Sequence, residues 1–241
     1  LGVYGLIIDC LCHTGESISK CSVKVVILPI GSLEYHGPHL PLSVDTLLAD
    51  RLVRRYVEEG IDRDILSSGV CLVVLPPLSY GYSPEWSRYE GTVSIDPHVF
   101  QNLIQCIYHS VSRMSGFKGL VIVNGHGGNT SLLEALARDI TYSLGGRVAV
   151  VDIWRIAGEK GLRYCHACLF EVELAKRLGI RVYGGGADRE ASLNKACIEG
   201  VYMYSRYGGQ LGYKGEQPSI EEFIETFYRV MNTLLRMILQ D

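Results

Sequence analysis

Carboxylates and imidazoles crowd one short stretch of this chain, Gly31-Ser32-Leu33-Glu34-Tyr35-His36-Gly37-Pro38-His39-Leu40-Pro41-Leu42-Ser43-Val44-Asp45. Side chains alternate along an extended backbone, so Glu34 and His36 project to the same side and converge on one place. Asp45 follows at the start of a helix, where an aspartate also serves as an ordinary cap. Further along, His126 stands in Asn124-Gly125-His126-Gly127-Gly128-Asn129-Thr130, flanked by glycines that let backbone approach a ligand closely. A glycine-rich loop before a helix also binds anions, but the lysine and spacing of a Walker loop are absent. Glu171 aligns at helical spacing with Ala167, Leu174 and Leu178 on a core-facing stripe, while Glu173, Lys176 and Arg177 face away. A lone ionised carboxylate on such a stripe is costly. A bound cation removes the cost; a buried salt bridge or a protonated glutamate are the other solutions.

Glu34, His36, Asp45, His126 and Glu171 together offer oxygen and nitrogen ligands without thiolate. That set suits Zn²⁺, Mn²⁺ or Fe²⁺ and does not choose among them. Five protein ligands exceed what one open catalytic zinc takes, so two divalent metal ions sharing a bridging carboxylate fit better.

Elements of alternating type must carry these residues. Apolar, largely β-branched runs predict strands at 23–30, 70–75, 120–123 and 148–153. Amphipathic stripes predict helices at 45–59, 97–115, 131–144, 166–178 and 219–239. The stripe of the second helix reads Phe100, Leu103, Ile107, Val111 and Met114, opened by Asp96-Pro97 as cap and first-turn proline. Residues 1–21 show no clear period. Strands alternating with helices indicate an α/β fold, a mostly parallel sheet flanked by helices on both faces. Nothing repeats and no low-complexity linker interrupts the chain, so residues 1–241 read as a single domain. In such sheets ligands bind outside the carboxyl ends of the strands.

Composition narrows the function. Of 241 residues, 47% are hydrophobic and 20% charged, and the net charge is −3, which excludes a strongly basic face for nucleic acid. The first ten residues lack the basic start and cleavage site of a signal peptide, and no apolar run reaches membrane-spanning length. The expectation is a cytoplasmic protein with no membrane partner. Eight cysteines, several inside apolar runs, read as core filling in a reducing compartment, with disulfides of the hyperthermophile kind as the alternative. Cys165-His166-Ala167-Cys168 has the spacing of a redox or zinc half-site but no second pair. Gly184-Gly185-Gly186 reads as a turn. Tyr80, Tyr82, Trp86 and Tyr89 read equally as pocket lining or as half-buried packing residues.

The residues at 31–46, in the pattern Gly-Ser-x-Glu-x-His-Gly-Pro-His-Leu-Pro-Leu-x-x-Asp-Thr, resemble the first signature of the creatininase family. Asn124-Gly125-His126-Gly127-Gly128-Asn129 resembles the second, and His166-Ala167 followed by Glu171 the third; Pro77-Leu78-Ser79-Tyr80-Gly81-Tyr82-Ser83-Pro84 and Gly91-Thr92 match further segments. The resemblance implies that Glu34, Asp45 and His126 hold one metal, that His36, Asp45 and Glu171 hold the second, and that Asp45 bridges. It implies an amidohydrolase in which a hydroxide between the ions attacks a non-peptide C–N bond of a small-molecule amide, cyclic amide or formamide. His166 would then be catalytic, passing a proton to the leaving nitrogen. Family members assemble as hexamers, which implies a homo-oligomer.

This chain also departs from creatininase itself. Gly128 stands where creatininase has a glutamate, so the sequence looks closer to the Gly-Gly deformylase and peptidase branches, including the formamidopyrimidine-nucleotide deformylase of riboflavin and deazaflavin synthesis. Trp86 stands where many members carry a histidine, Cys168 replaces a common glycine, and Val172-Glu173 replaces a common Thr-Ser pair. The alternative of another class is a non-catalytic metal- or nucleotide-binding module built on the same residues.

Overall fold

The computed structural model describes residues 6–161, 166–184, 197–198, 201–202 and 219–240. Cys165 of the half-site and Gly185-Gly186 of the glycine triplet lie outside them. Five parallel strands form the sheet: β1 (Leu6–Asp9), β2 (Val23–Ile30), β3 (Val70–Val74), β4 (Phe117–Asn124) and β5 (Val148–Asp152), in the order β1-β3-β2-β4-β5. The helices are α1 (Gly15–Ser19), α2 (Val44–Arg55), α3 (Arg63–Ser67), α4 (Pro97–Val111), α5 (Thr130–Leu144), α6 (Ile153–Glu159), α7 (Leu169–Arg177) and α8 (Ile220–Gln240). A π-helical turn, Tyr56–Gly60, extends α2.

Strand periodicity sorts the core into two layers. Val25 and Ile27 of β2, with Val121 and Val123 of β4, pack under α2, α6, α7 and α8; Val26, Leu28 and Ile30, with Leu120 and Ile122, pack under α4 and α5. Both faces of the central strands are therefore covered, as the continuous apolar runs anticipate. The chain leaves β2 toward β3 on one side and β4 toward β5 on the other. That divergence opens a crevice at the carboxyl ends of β2 and β4, the usual ligand position in such sheets.

Several expectations are corrected. Residues 1–21, which show no clear period, include β1, which pairs with β3, and α1. The buried stripe of α4 is Phe100, Ile104, Tyr108 and Val111, while Leu103 is 37% exposed; spacings of four, four and three rotate the stripe one residue from the expected one. Cys21 and Cys71 form a disulfide rather than filling the core as free thiols, and Cys168 is also disulfide-bonded. Cys10, Cys12 and Cys106 are free. Among the described residues no helix is long and apolar enough to cross a membrane.

Candidate metal centre

Two glycines bring α2 onto the sheet. A Cβ on Gly31, just past β2, would overlap the Asp45–Thr46 peptide, and one on Gly125, just past β4, would overlap the Asp45 carbonyl. Without those side chains the first turn of α2 drops onto both strand ends. Ser43 occupies the cap position of α2, which leaves the Asp45 side chain in the first turn for other work.

That side chain lies between two imidazoles. Asp45 Oδ1 is 3.0 Å from His36 Nε2, and Asp45 Oδ2 is 2.9 Å from His126 Nδ1. Glu34 Oε1 is 3.3 Å from His126 Nδ1, 3.7 Å from His36 Nε2 and 3.4 Å from His166 Nδ1. Glu171 Oε1 is 3.5 Å from His36 Nε2, while its Oε2 accepts the Ala167 N–H over 2.6 Å. Glu34, Asp45 and His126 thus form one close triad, His36, Asp45 and Glu171 a second, and Glu34, His36 and His166 a third. All six residues expected to act together do meet. Glu34 and His36 are buried on one side of the segment that follows β2, and Tyr35 between them is only partly buried.

Each imidazole is pinned from behind by a carbonyl. His36 Nδ1 donates to Glu34 O over 3.1 Å, His126 Nε2 to Tyr82 O over 2.9 Å, and His166 Nε2 to Tyr35 O over 2.8 Å. A carbonyl only accepts, so in the neutral ring the remaining nitrogen presents its lone pair to the carboxylates. Such an arrangement is repulsive unless a proton or a cation lies between. Both oxygens of fully buried Glu34 lack a hydrogen-bond partner, as do His36 Nε2 and Glu171 Oε1.

Protons show the same need. Burial opposes the charged form of His36, but Asp45, Glu171 and Glu34 outweigh it and push the imidazole up to about 10. His126 is likewise raised, burial being overcome by Glu34 and Asp45. Burial acts to raise Asp45, yet His36 and His126 hold it well below the usual carboxylate range. Burial pushes Glu171 up to about 7, against the pull of His36. His166 is held well below an ordinary histidine, first by burial and then by His36.

Further side chains support the cluster, and residue type alone does not mark Ser32 or Asn124 for that role. Ser32, fully buried, donates to Asp45 Oδ2 over 2.7 Å. Asn124 donates to His126 O over 2.8 Å and to Asp152 Oδ2 over 3.1 Å, bracing the glycine loop against β5. Trp154 donates to Gly125 O over 2.6 Å and so braces that loop too. Trp86, 2% exposed, stacks on His166 with ring centroids 4.1 Å apart and planes 12° apart. A cavity of about 740 Å³ runs along β5 between α5 and α8 and contains none of the six. The chemistry sits instead in the buried cluster.

A parallel α/β sheet with clustered carboxylates and imidazoles at its carboxyl edge defines the general class. The chain belongs to the creatininase family, whose model, described as creatinine amidohydrolase, matches residues 14–178. It is 39% identical over 123 residues to the mycofactocin precursor peptide peptidase of Mycolicibacterium smegmatis, covering 50% of this chain and 46% of that protein. It is 28% identical over 141 residues to the creatinine amidohydrolase of Pseudomonas putida, covering 54% and 50%. To the 2-amino-5-formylamino-6-ribosylaminopyrimidin-4(3H)-one 5'-monophosphate deformylase of Methanobrevibacter ruminantium it is 24% identical over 200 residues, covering 83% and 75%. The match thus spans about half the length of the first two relatives. In structure, a Bacteroides fragilis protein named after creatinine amidohydrolase superposes with a TM-score of 0.72 at 19% identity over 97% of each chain. Creatininase in its manganese form superposes at 0.65, with 20% identity over 95% of this chain and 98% of that one. Its Glu-to-Gln variant of zinc–zinc type superposes at 0.63, with 20% identity over 95% and 97%.

Proposed function

We propose that this chain is a metal-dependent amidohydrolase that cleaves a C–N bond outside an ordinary peptide backbone, such as a formamide, a cyclic amide or a modified peptide amide. Glu34, Asp45 and His126 hold one divalent ion, and His36, Asp45 and Glu171 hold the other. The observation that carries this reading is the set of orphaned, buried atoms on Glu34, His36 and Glu171, facing inward among imidazoles fixed from behind. Unpartnered polar atoms at such depth are costly, and cations satisfy them together. When bound, two such ions supply Lewis acidity toward the carbonyl and a water deprotonated near neutral pH.

The chain's own groups do the rest. Asp45, aimed by Ser32, sets the separation of the two half-sites. Glu34 and Glu171 offset the positive charge. His166 is the most open of the six, with a side chain 16% exposed against 5% or less for the others. It therefore lies where substrate arrives. Its Nδ1, unprotonated in the tautomer fixed by Tyr35, is placed to take a proton from the attacking water and to pass it to the leaving nitrogen. Zn²⁺, Mn²⁺ and Fe²⁺ all suit the donor set.

Metal analysis paired with a hydrolysis screen over formamides, cyclic amides and carboxyl-terminal peptide amides tests the proposal. Two ions per chain and turnover of at least one class are expected, both lost in Asp45→Ala. A protein that holds two ions and hydrolyses none of these would overturn the hydrolytic reading in favour of a binding module. Formate release from a formamidopyrimidine nucleotide would single out the deformylase activity.

A further inference from the structure

We propose that Trp86 is a positioning residue that fixes the His166 ring for proton transfer, an inference that rests on the hydrolytic reading above. His166 is clamped on both faces. The Trp86 ring lies 4.1 Å away at 12°, and the His36 ring lies 4.1 Å away at 30° on the metal side. Its edge is held at one point, the Nε2–H bond to Tyr35 O at 2.8 Å. One hydrogen bond sets which nitrogen carries the proton, but it is lost whenever the ring swings about its Cβ–Cγ bond. The indole blocks that swing on the side away from His36. Nδ1 is thereby kept pointing at the cluster, 3.4 Å from Glu34 Oε1.

The clamp is itself braced. Trp86 closes the short turn Pro84–Trp86, with its N–H on Ser83 O at 3.2 Å, and the Ser83 N–H is held by Ser94 Oγ at 2.9 Å. Tyr89 lies 5.6 Å from the indole and stacks on Tyr35 at 4.5 Å and 11°. Tyr35 thus serves the imidazole twice, through its carbonyl directly and through its ring by way of Tyr89. The indole adds no titrating group beside Nδ1, so it shapes the position of the base without competing for the proton.

The test compares Trp86→Phe, which keeps a flat ring, with Trp86→Leu, which does not, in the zinc-loaded protein. Ring-nitrogen NMR, with the His166 signals assigned by His166→Gln, should show a single Nε2–H tautomer in the wild type and in Trp86→Phe. Trp86→Leu should show proton exchange between both nitrogens. Its kcat should fall by about 10- to 100-fold, the scale seen when a partner that orients a reacting group is lost, with KM and metal content unchanged; Trp86→Phe should recover most of the rate. If Trp86→Leu keeps the wild-type tautomer, or loses rate only in proportion to lost metal or lost fold, the inference fails. Should the wild type hold two ions yet hydrolyse nothing, the hydrolytic reading fails by itself, and the nitrogen spectra still decide whether Trp86 orients the ring.

Discussion

The Ser32 hydroxyl donates to Oδ2 of Asp45 over 2.7 Å, and that same oxygen lies 2.9 Å from Nδ1 of His126. A small, fully buried serine thus aims the carboxylate that joins the two halves of the cluster. Ser32→Ala should weaken metal binding by about 10- to 100-fold, as loss of such an orienting bond generally does. Competition with a chelator of known affinity measures it. Unaltered affinity would mean that the helix backbone alone sets the carboxylate.

Gly128 governs the far side of His126. A Cβ there would overlap both Tyr82 O and His126 Nε2, two atoms that are hydrogen-bonded to each other. Gly128→Ala should push the Tyr82 loop away, free the imidazole edge and weaken binding at the Glu34–Asp45–His126 triad before the other. Metal titration resolved into two steps would show the first step shifted. The same crowding explains why a glutamate, as in creatininase, is not simply exchangeable at this position: the Tyr82 segment would have to move first.

Stability of the metal-free protein should fall as pH rises. His36 is raised from 6.5 to about 10 in the folded state, so its contribution is complete below 6.5 and is lost as pH climbs through about 10. Glu171 is raised from 4.5 to about 7, which likewise removes stability as pH rises across that lower window. Asp45 is depressed, so its contribution is lost only on acidification, well outside the range tested. With ions present the trend reverses, because protons and cations compete for the same atoms and binding strengthens as pH rises. Urea unfolding at pH 7, 8 and 9, with chelator and with Zn²⁺, should show two curves diverging. Parallel curves would deny the competition.

The Cys21–Cys71 disulfide closes a loop with a sequence separation of 50 residues at the amino ends of β2 and β3, the end of the sheet opposite the carboxylate–imidazole cluster. Chain-entropy reasoning puts its contribution at about 4 kcal/mol. Reduction, or the double change Cys21→Ser with Cys71→Ser, should lower the urea midpoint correspondingly. Metal stoichiometry should stay the same. Alkylation with and without reductant reports whether the bond is present.

What could be read in the sequence follows from periodicity. Val23 to Ile30 announces a buried strand because its β-branched residues have no polar face, and Glu171 stands out because a carboxylate interrupts an apolar helical stripe. Glu34 and His36 are legible as a pair through alternation alone. The carbonyls of Tyr35 and Tyr82 are not, since a backbone acceptor leaves no trace in residue type. Ser32 is ordinary until the fold sets it beside Asp45. β1 is only four residues long with no turn signal to frame it, and the spacing of cysteines says nothing about which two meet. The one-residue rotation of the α4 stripe arises because Leu103 and Ile104 are equally apolar and only tertiary packing chooses between them.

Glu34, Tyr35 and His36 face alternately inward, outward and inward. An inserted or deleted residue before Glu34 would exchange these directions at a stroke, turning the aromatic ring toward the buried cluster and both donors away from it. The tripeptide can therefore not change in length, so related chains that differ in what they cleave should vary in the loops around it and keep this stretch free of gaps.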